Sequence, residues 1–307
     1  MRSSHMKTLL RVILIVLGLA ILLLILGTAL FLIANRTNGV ISSSGERRRY
    51  LLHVPASYDA AVPAPLVVSI HGFAEWPAHQ QEISRWNDLA DEYGFIVVYP
   101  SGTRFPLRWR TNSAPGTDFD RSIDVTFISD LIDHLAADYA IDPARVYVNG
   151  LSNGGGMSFA LSCDLSERIA AIGSVSGAYL LSWEQCRPSR PVPAVVFHGT
   201  ADPIVPFAGG PSHAFDIPFP AITQWVDELA RRNGCGAAEE LREGSEVLVI
   251  RYSGCDADVV FYTIEGGGHA WPGGGWLPPS IVGYTTQEID ATRLMWEFFE
   301  QHPLTFD

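Results

Sequence analysis

One short stretch constrains this chain more than any other. Val146-Tyr-Val-Asn-Gly150-Leu-Ser152-Asn153-Gly154-Gly-Gly156 passes from a buried-looking apolar run through G-x-S-x-G into a helical stretch. A serine between two glycines, where a strand turns into a helix, is held in a strained backbone conformation above a sheet. Gly150 and Gly154 are needed there because a Cβ at either would meet the neighbouring strand or the turn itself. The hydroxyl then lies near the N-terminus of the next helix, whose dipole favours developing negative charge. A bare G-x-S-x-G is weak, but in this setting it marks Ser152 as a candidate nucleophile.

The rest of the body agrees with such a sheet. Strands are expected at Tyr50–Val54, Leu66–Ile70, Phe95–Tyr99, Val146–Asn149, Ala170–Val175, Ala194–His198, Val247–Arg251 and Val259–Ile264. Several are continuous apolar runs, as strands covered on both faces must be. Helices are expected at Ile83–Tyr93, Val125–Tyr139, Gly154–Cys163, Ala221–Arg232 and Thr286–Gln301. Strand–helix alternation predicts an α/β fold with a mostly parallel, doubly wound sheet in one domain. Thr103–Arg121 and Gly266–Val282 read as loops over a site.

A serine so placed needs an acid and a histidine, in that order along the chain. Ala194-Val-Val-Phe-His-Gly-Thr-Ala-Asp202 supplies a strand, a loop and an acid at its tip. Glu265-Gly-Gly-Gly-His269 supplies the base on a Gly-rich loop after the last strand. His269 would take the Ser152 proton, and Asp202 would hold its tautomer. Asp256 and Asp258 are competing acids, but they precede a strand rather than follow one. An oxyanion hole needs two backbone N–H donors, expected from Asn153 and from Phe73 in Leu66-Val-Val-Ser-Ile-His71-Gly72-Phe73. His71 reads as a structural hydrogen-bonder.

Charge and hydropathy set the compartment. Val12 to Ala34 gives 23 residues without a charge, and Arg2, Lys7 and Arg11 precede them. At about 1.5 Å per residue the run is long enough for a hydrocarbon layer of roughly 30 Å. It divides the chain into a basic N-terminus (1–11), a transmembrane anchor or signal segment (12–34), a tether (35–45) and a catalytic domain (46–307). The positive-inside bias puts the body outside the cytoplasm, membrane-anchored, or secreted if the segment is cleaved. Cys163, Cys186, Cys235 and Cys255 all lie in that exported part, where disulfides persist. Pairing by sequence order gives Cys163–Cys186 and Cys235–Cys255.

Beyond residue 45 there are 17 basic and 33 acidic side chains, so nucleic-acid binding is disfavoured. Lys7 is the only lysine, which excludes Schiff-base, Ser-Lys and phosphate-loop lysine chemistry in the body. No cofactor or metal site is expected. Asp118, Asp120 and Asp124 space like part of a calcium loop but lack its glycine and glutamate. Trp76, Trp109, Trp183 and Trp271 are candidates for lining a cleft. Trp271 follows His269 closely and, with Trp76 and Trp183, is expected to bind substrate.

Together G-L-S-N-G-G, H-G-T-A-D-P-I-V-P and G-G-G-H-A-W-P-G resemble the extracellular serine esterases of the polyhydroxybutyrate-depolymerase-like and feruloyl-esterase-like kind. The resemblance runs from about Arg47 to His302. It implies the α/β-hydrolase fold, ester hydrolysis through an acyl-enzyme, and Ser152, Asp202 and His269 in the family's roles. Feruloyl, acetyl-xylan, hydroxyalkanoate and aromatic polyester chain-end esters are the implied substrates. A prolyl-oligopeptidase-like peptidase or an extracellular acyltransferase is the alternative. Indoles beside His269 would favour short or planar aromatic acyl groups over long alkyl chains, and the acidic body would favour neutral esters.

Overall fold

The computed structural model describes residues 2–112, 119–212 and 214–306. It divides into an N-terminal helix, through Arg36, and a body from Thr37 onward. Helix α1 runs Arg2–Ala34, and Leu10–Thr28 within it is long and apolar enough to cross a membrane.

Among the described residues the body holds ten strands: β1 (Gly39–Ser43), β2 (Glu46–His53), β3 (Ala64–Ile70), β4 (Ile96–Pro100), β5 (Ile141–Leu151), β6 (Ala171–Val175), β7 (Ala194–Gly199), β8 (Ala238–Glu243), β9 (Val247–Tyr252) and β10 (Val259–Ile264). They form one sheet in the order β1-β2-β4-β3-β5-β6-β7-β10-β9-β8. The six strands from β4 to β10 are mutually parallel, and an antiparallel pair closes each side. The α-helices of the body among the described residues are α2 (Pro77–Ser84), α3 (Trp86–Tyr93), α4 (Arg121–Asp138), α5 (Asn153–Asp164), α6 (Ile222–Arg232), α7 (Pro279–Val282) and α8 (Ala291–Glu300).

Period-2 alternation inside the apolar strands feeds two cores. On β3, Leu66, Val68 and Ile70 face a core built with Phe127 of α4, Phe159 of α5 and Trp225 of α6. Val67 faces the other way, onto Ile83 of α2, Trp86 of α3 and Phe299 of α8. Each central strand is therefore covered on both sides, which is why its sequence shows no polar face. The disulfides join Cys163 to Cys186 and Cys235 to Cys255, as sequence order suggested.

Three local expectations change. The expected tether contains β1, paired along its length with β2, so the sheet begins at Gly39. The expected helix Ile83–Tyr93 is two helices, because Arg85 takes a left-handed conformation (φ 57°) between α2 and α3. The last helix begins at Ala291, where the Asp290 carboxylate accepts from the Thr292 and Arg293 N–H groups. Strand β8, Ala-Glu-Glu-Leu-Arg-Glu, is exposed throughout; its charges suit an edge that must not recruit another strand.

Candidate active site

Parallel strands deliver their carboxyl ends to one edge, and β5, β6, β7 and β10 are consecutive neighbours. Ser152 follows β5, Asp202 follows β7 and His269 follows β10. The sheet thus collects three residues far apart in sequence along one rim.

Ser152 has φ 57° and ψ −116°, a conformation rare for a residue with a side chain. The turn is held on both sides of it. The Ser152 N–H donates to Val175 O at 2.9 Å, and Ser152 O accepts from Gly156 N and Ala178 N, each at 2.9 Å. A Cβ on Gly150 would lie 2.5 Å from the Gly154 carbonyl carbon, and one on Gly154 would lie 2.1 Å from Ile70 O. Both glycines are sterically required, as the elbow predicts.

Asp202 and His269 are in direct contact. The His269 Nδ1–H donates to Asp202 Oδ2 at 2.8 Å, while Asp202 Oδ1 accepts from Ile204 N and Val205 N, both at 2.8 Å. Burial opposes ionisation of Asp202. The facing His269, then His198, together with the backbone donors, still holds its carboxyl below the usual range. A second imidazole backs the pair: His198 Nε2 donates to Val205 O at 2.9 Å and stands 3.4 Å from Asp202 Oδ2. Desolvation pushes the His198 pKa down, against the pull of Asp202. Among the described residues no hydrogen bond joins Ser152 to His269; such contacts are often loose in a free enzyme. The competing acids are elsewhere: Asp258 pairs with His302 at the opposite end of β10, and Asp256 packs at Gly234.

The loop after β3 leaves one donor unused. His71 O accepts from Trp109 Nε1 (3.0 Å), Gly72 N donates to Glu75 Oε2 (2.8 Å), Gly72 O accepts from His71 Nδ1 (2.7 Å), and Ala74 N donates to Leu107 O (2.8 Å). Phe73 N–H has no acceptor among the described residues, nor does the first N–H of α5, at Asn153, have one within its helix. His71 Nε2 accepts from Gly102 N at 2.9 Å, and burial pushes its pKa down to about 4, so it is a neutral strut.

Ser152 opens onto a cavity of about 410 Å³ whose wall also includes Phe73 and Asn153. Its apolar lining comes chiefly from Trp109, Phe119, Phe215, Ile217 and Phe219. Of the tryptophans singled out in the sequence, Trp109 alone lines it. Trp271 is fully buried in the core under α8, its Nε1 donating to Thr292 Oγ1 at 2.8 Å, and cannot stack on a substrate. Trp76 packs beside His79, and Trp183 stacks against Trp225 with Arg232 4.9 Å from its ring. Proximity in sequence misled here, because the chain turns inward directly after His269. The wall residues missed by sequence reading did leave a signal: Phe215, Ile217 and Phe219 alternate like a strand, in a segment that lies outside the sheet and pairs at Phe219 with Gly210.

The described acids of the run around the start of α4 are engaged within the fold. Asp118 lies outside the described residues. Asp120 caps α4 through Ser122 N, and Asp124 is buried between Arg48 (2.8 Å) and Arg110 (3.0 Å). No grouping of potential ligands suited to a metal ion occurs among the described residues.

A family profile described as esterase PHB depolymerase matches residues 48–185, which include Phe73, Ser152 and Asn153 but stop before Asp202. A candidate esterase of Nocardia uniformis subsp. tsuyamanensis is 29% identical over 86% of this chain and 83% of its own. A feruloyl esterase B of Piromyces equi is 31% identical over 73% of this chain, which spans only 42% of that protein. The solved acetyl xylan esterase of Aspergillus awamori superposes with TM-score 0.58 over 85% of this chain and 98% of that one, at 16% identity, and so speaks for the fold. The chain is an α/β-hydrolase-type carboxylic ester hydrolase that resembles the polyhydroxybutyrate-depolymerase-like and feruloyl-esterase-like esterases.

Proposed function

We propose that Ser152, His269 and Asp202 form the charge-relay constellation of this hydrolase, acting on short-acyl or planar aromatic-acyl esters such as feruloyl, acetyl and hydroxyalkanoate esters. The observation that carries the reading is the backbone of Ser152, strained at a strand–helix turn and opening into an aromatic cavity. Strain of this kind persists only where the surroundings over-determine it, and it clusters where function requires it.

The mechanism follows from the contacts. His269, held through Nδ1 by Asp202, presents Nε2 to remove the Ser152 proton as Oγ attacks the ester carbonyl. The developing oxyanion takes the N–H groups of Phe73 and Asn153, which the neighbouring hydrogen bonds leave uncommitted. Collapse expels the alcohol, protonated by His269. Water activated by the same imidazole then hydrolyses the acyl-enzyme. The aromatic walls suit flat acyl groups, and about 410 Å³ accommodates a small ester rather than a long alkyl chain.

The body is proposed to lie outside the cytoplasm, held by the apolar segment of α1 unless that segment is cleaved. Two disulfides and basic residues ahead of the segment support this. Protease shaving of intact cells, releasing active soluble body, is the test.

For the chemistry, 4-nitrophenyl acetate, butyrate and palmitate and methyl ferulate are compared in wild type and Ser152→Ala. Turnover of the short and aromatic esters that disappears in Ser152→Ala is expected. Preference for palmitate, or activity surviving in Ser152→Ala, would overturn the reading.

A further inference from the structure

The cavity reverses the charge of the molecule around it. The body carries 33 acidic against 17 basic side chains, yet the charged residues lining the Ser152 cavity are Arg104, Arg108 and Arg110, with no carboxylate among the described lining residues. Arg110 is neutralised inside the fold by Asp124 at 3.0 Å and Glu46 at 3.3 Å. Arg108 is different. It is half-buried, and no carboxylate among the described residues pairs with it; its guanidinium carbon stands 6.0 Å from the centre of the Phe119 ring on the same wall.

The backbone beneath that charge is fixed. Arg108 N donates to Thr103 O and Arg108 O accepts from Thr103 N, each at 3.2 Å. The next residue donates its N–H to Asn153 Oδ1 at 2.7 Å. Arg108 is thus anchored to the residue following the candidate nucleophile, in a pocket whose other walls are mostly apolar. A half-desolvated guanidinium that no carboxylate among the described residues neutralises attracts an anion more strongly than an exposed one does. Its planar fork matches a carboxylate.

We propose that Arg108 selects esters carrying a free carboxylate on the same small molecule, such as half-esters of dicarboxylic acids or the acid-terminated ends of short polyester chains. This rests on the ester-hydrolase reading above. It also reverses the expectation, drawn from net charge, that neutral esters are preferred. The potential at the reacting bond is set by the nearest poorly screened charges, whereas the acidic exterior is attenuated over a Debye length of about 8 Å at physiological salt.

The test compares monoethyl adipate with diethyl adipate, per ester bond, in the full-length protein as kcat/KM. The readout is the ratio of the two substrates within one preparation, so a partly misfolded variant cancels. Wild type should favour the half-ester, and raising the salt concentration should erode that preference. Arg108→Gln should lower the ratio about tenfold, the scale of one charge-assisted contact. Arg108→Lys, which keeps the charge and loses the fork, should fall between. An unchanged ratio in Arg108→Gln, or a wild-type preference for the diester, overturns the proposal while leaving ester hydrolysis standing. If wild type hydrolyses neither adipate nor 4-nitrophenyl butyrate, the ester-hydrolase reading itself fails.

Discussion

The side chain of Asn153 holds the backbone of Trp109 at both ends: Oδ1 accepts the Trp109 N–H at 2.7 Å, and Nδ2 donates to Trp109 O at 3.2 Å. Trp109 in turn donates Nε1–H to His71 O at 3.0 Å. The two loops that offer the proposed oxyanion donors are therefore tied through one indole. Removing that tie while keeping the ring should loosen transition-state stabilisation more than substrate binding. Trp109→Phe is expected to lower kcat about fivefold with little change in KM, since one hydrogen bond contributes about 1 kcal/mol. Steady-state kinetics with 4-nitrophenyl butyrate separate the two effects; a rise in KM alone would make the indole merely a wall.

The acid is tested by substitution in pairs. Asp202 contacts His269 directly, whereas Asp256 and Asp258 stand at the other end of β10. Asp202→Asn should cost about three to four orders of magnitude in kcat by leaving the wrong imidazole tautomer. Asp256→Asn should stay within twofold of wild type.

Trp271 belongs to the core. Trp271→Phe forfeits the bond to Thr292 Oγ1 at 2.8 Å, about 1 kcal/mol, and should lower Tm by about 2–4 °C. KM for methyl ferulate should not move. Phe215→Ala, which strips an aromatic wall 5.5 Å from the Phe73 ring, should instead raise that KM several-fold.

Stability should fall with pH in a defined window. Burial lowers the His71 pKa to about 4, against an unfolded value of about 6.5. Between these values the unfolded chain binds the extra proton, so stability present at neutral pH is lost as the pH drops from about 6.5 to about 4. For His71 alone this amounts to roughly 3 kcal/mol. His198, also lowered by desolvation, adds to it in the same direction. The depressed Asp202 acts lower: its contribution fades only as pH falls below the ordinary carboxylate range. Denaturant titrations at stepped pH should show the decline, with a shallower slope in His71→Asn.

Several features were legible without a structure because short-range rules govern them. The elbow was readable because Gly150, Ser152 and Gly154 satisfy a local steric demand, and the central strands because double-sided burial leaves continuous apolar runs. The order of Ser152, Asp202 and His269 was readable because each lies just past such a strand. Strand β1 was hidden in Gly39-Val-Ile-Ser-Ser43 and β8 in a charged run, since edge strands bury little and carry weak hydrophobic signal. What folding alone decided was direction: the chain after β10 leaves His269 at the carboxyl edge and sends Trp271, two residues on, into the core beneath α8. It likewise decided that Phe215 and Phe219, distant in sequence from the elbow, should wall its cavity, and that an acidic protein should line that cavity with arginine. Composition sums charge over a whole chain, whereas the field at a buried bond depends on the few groups that packing brings beside it.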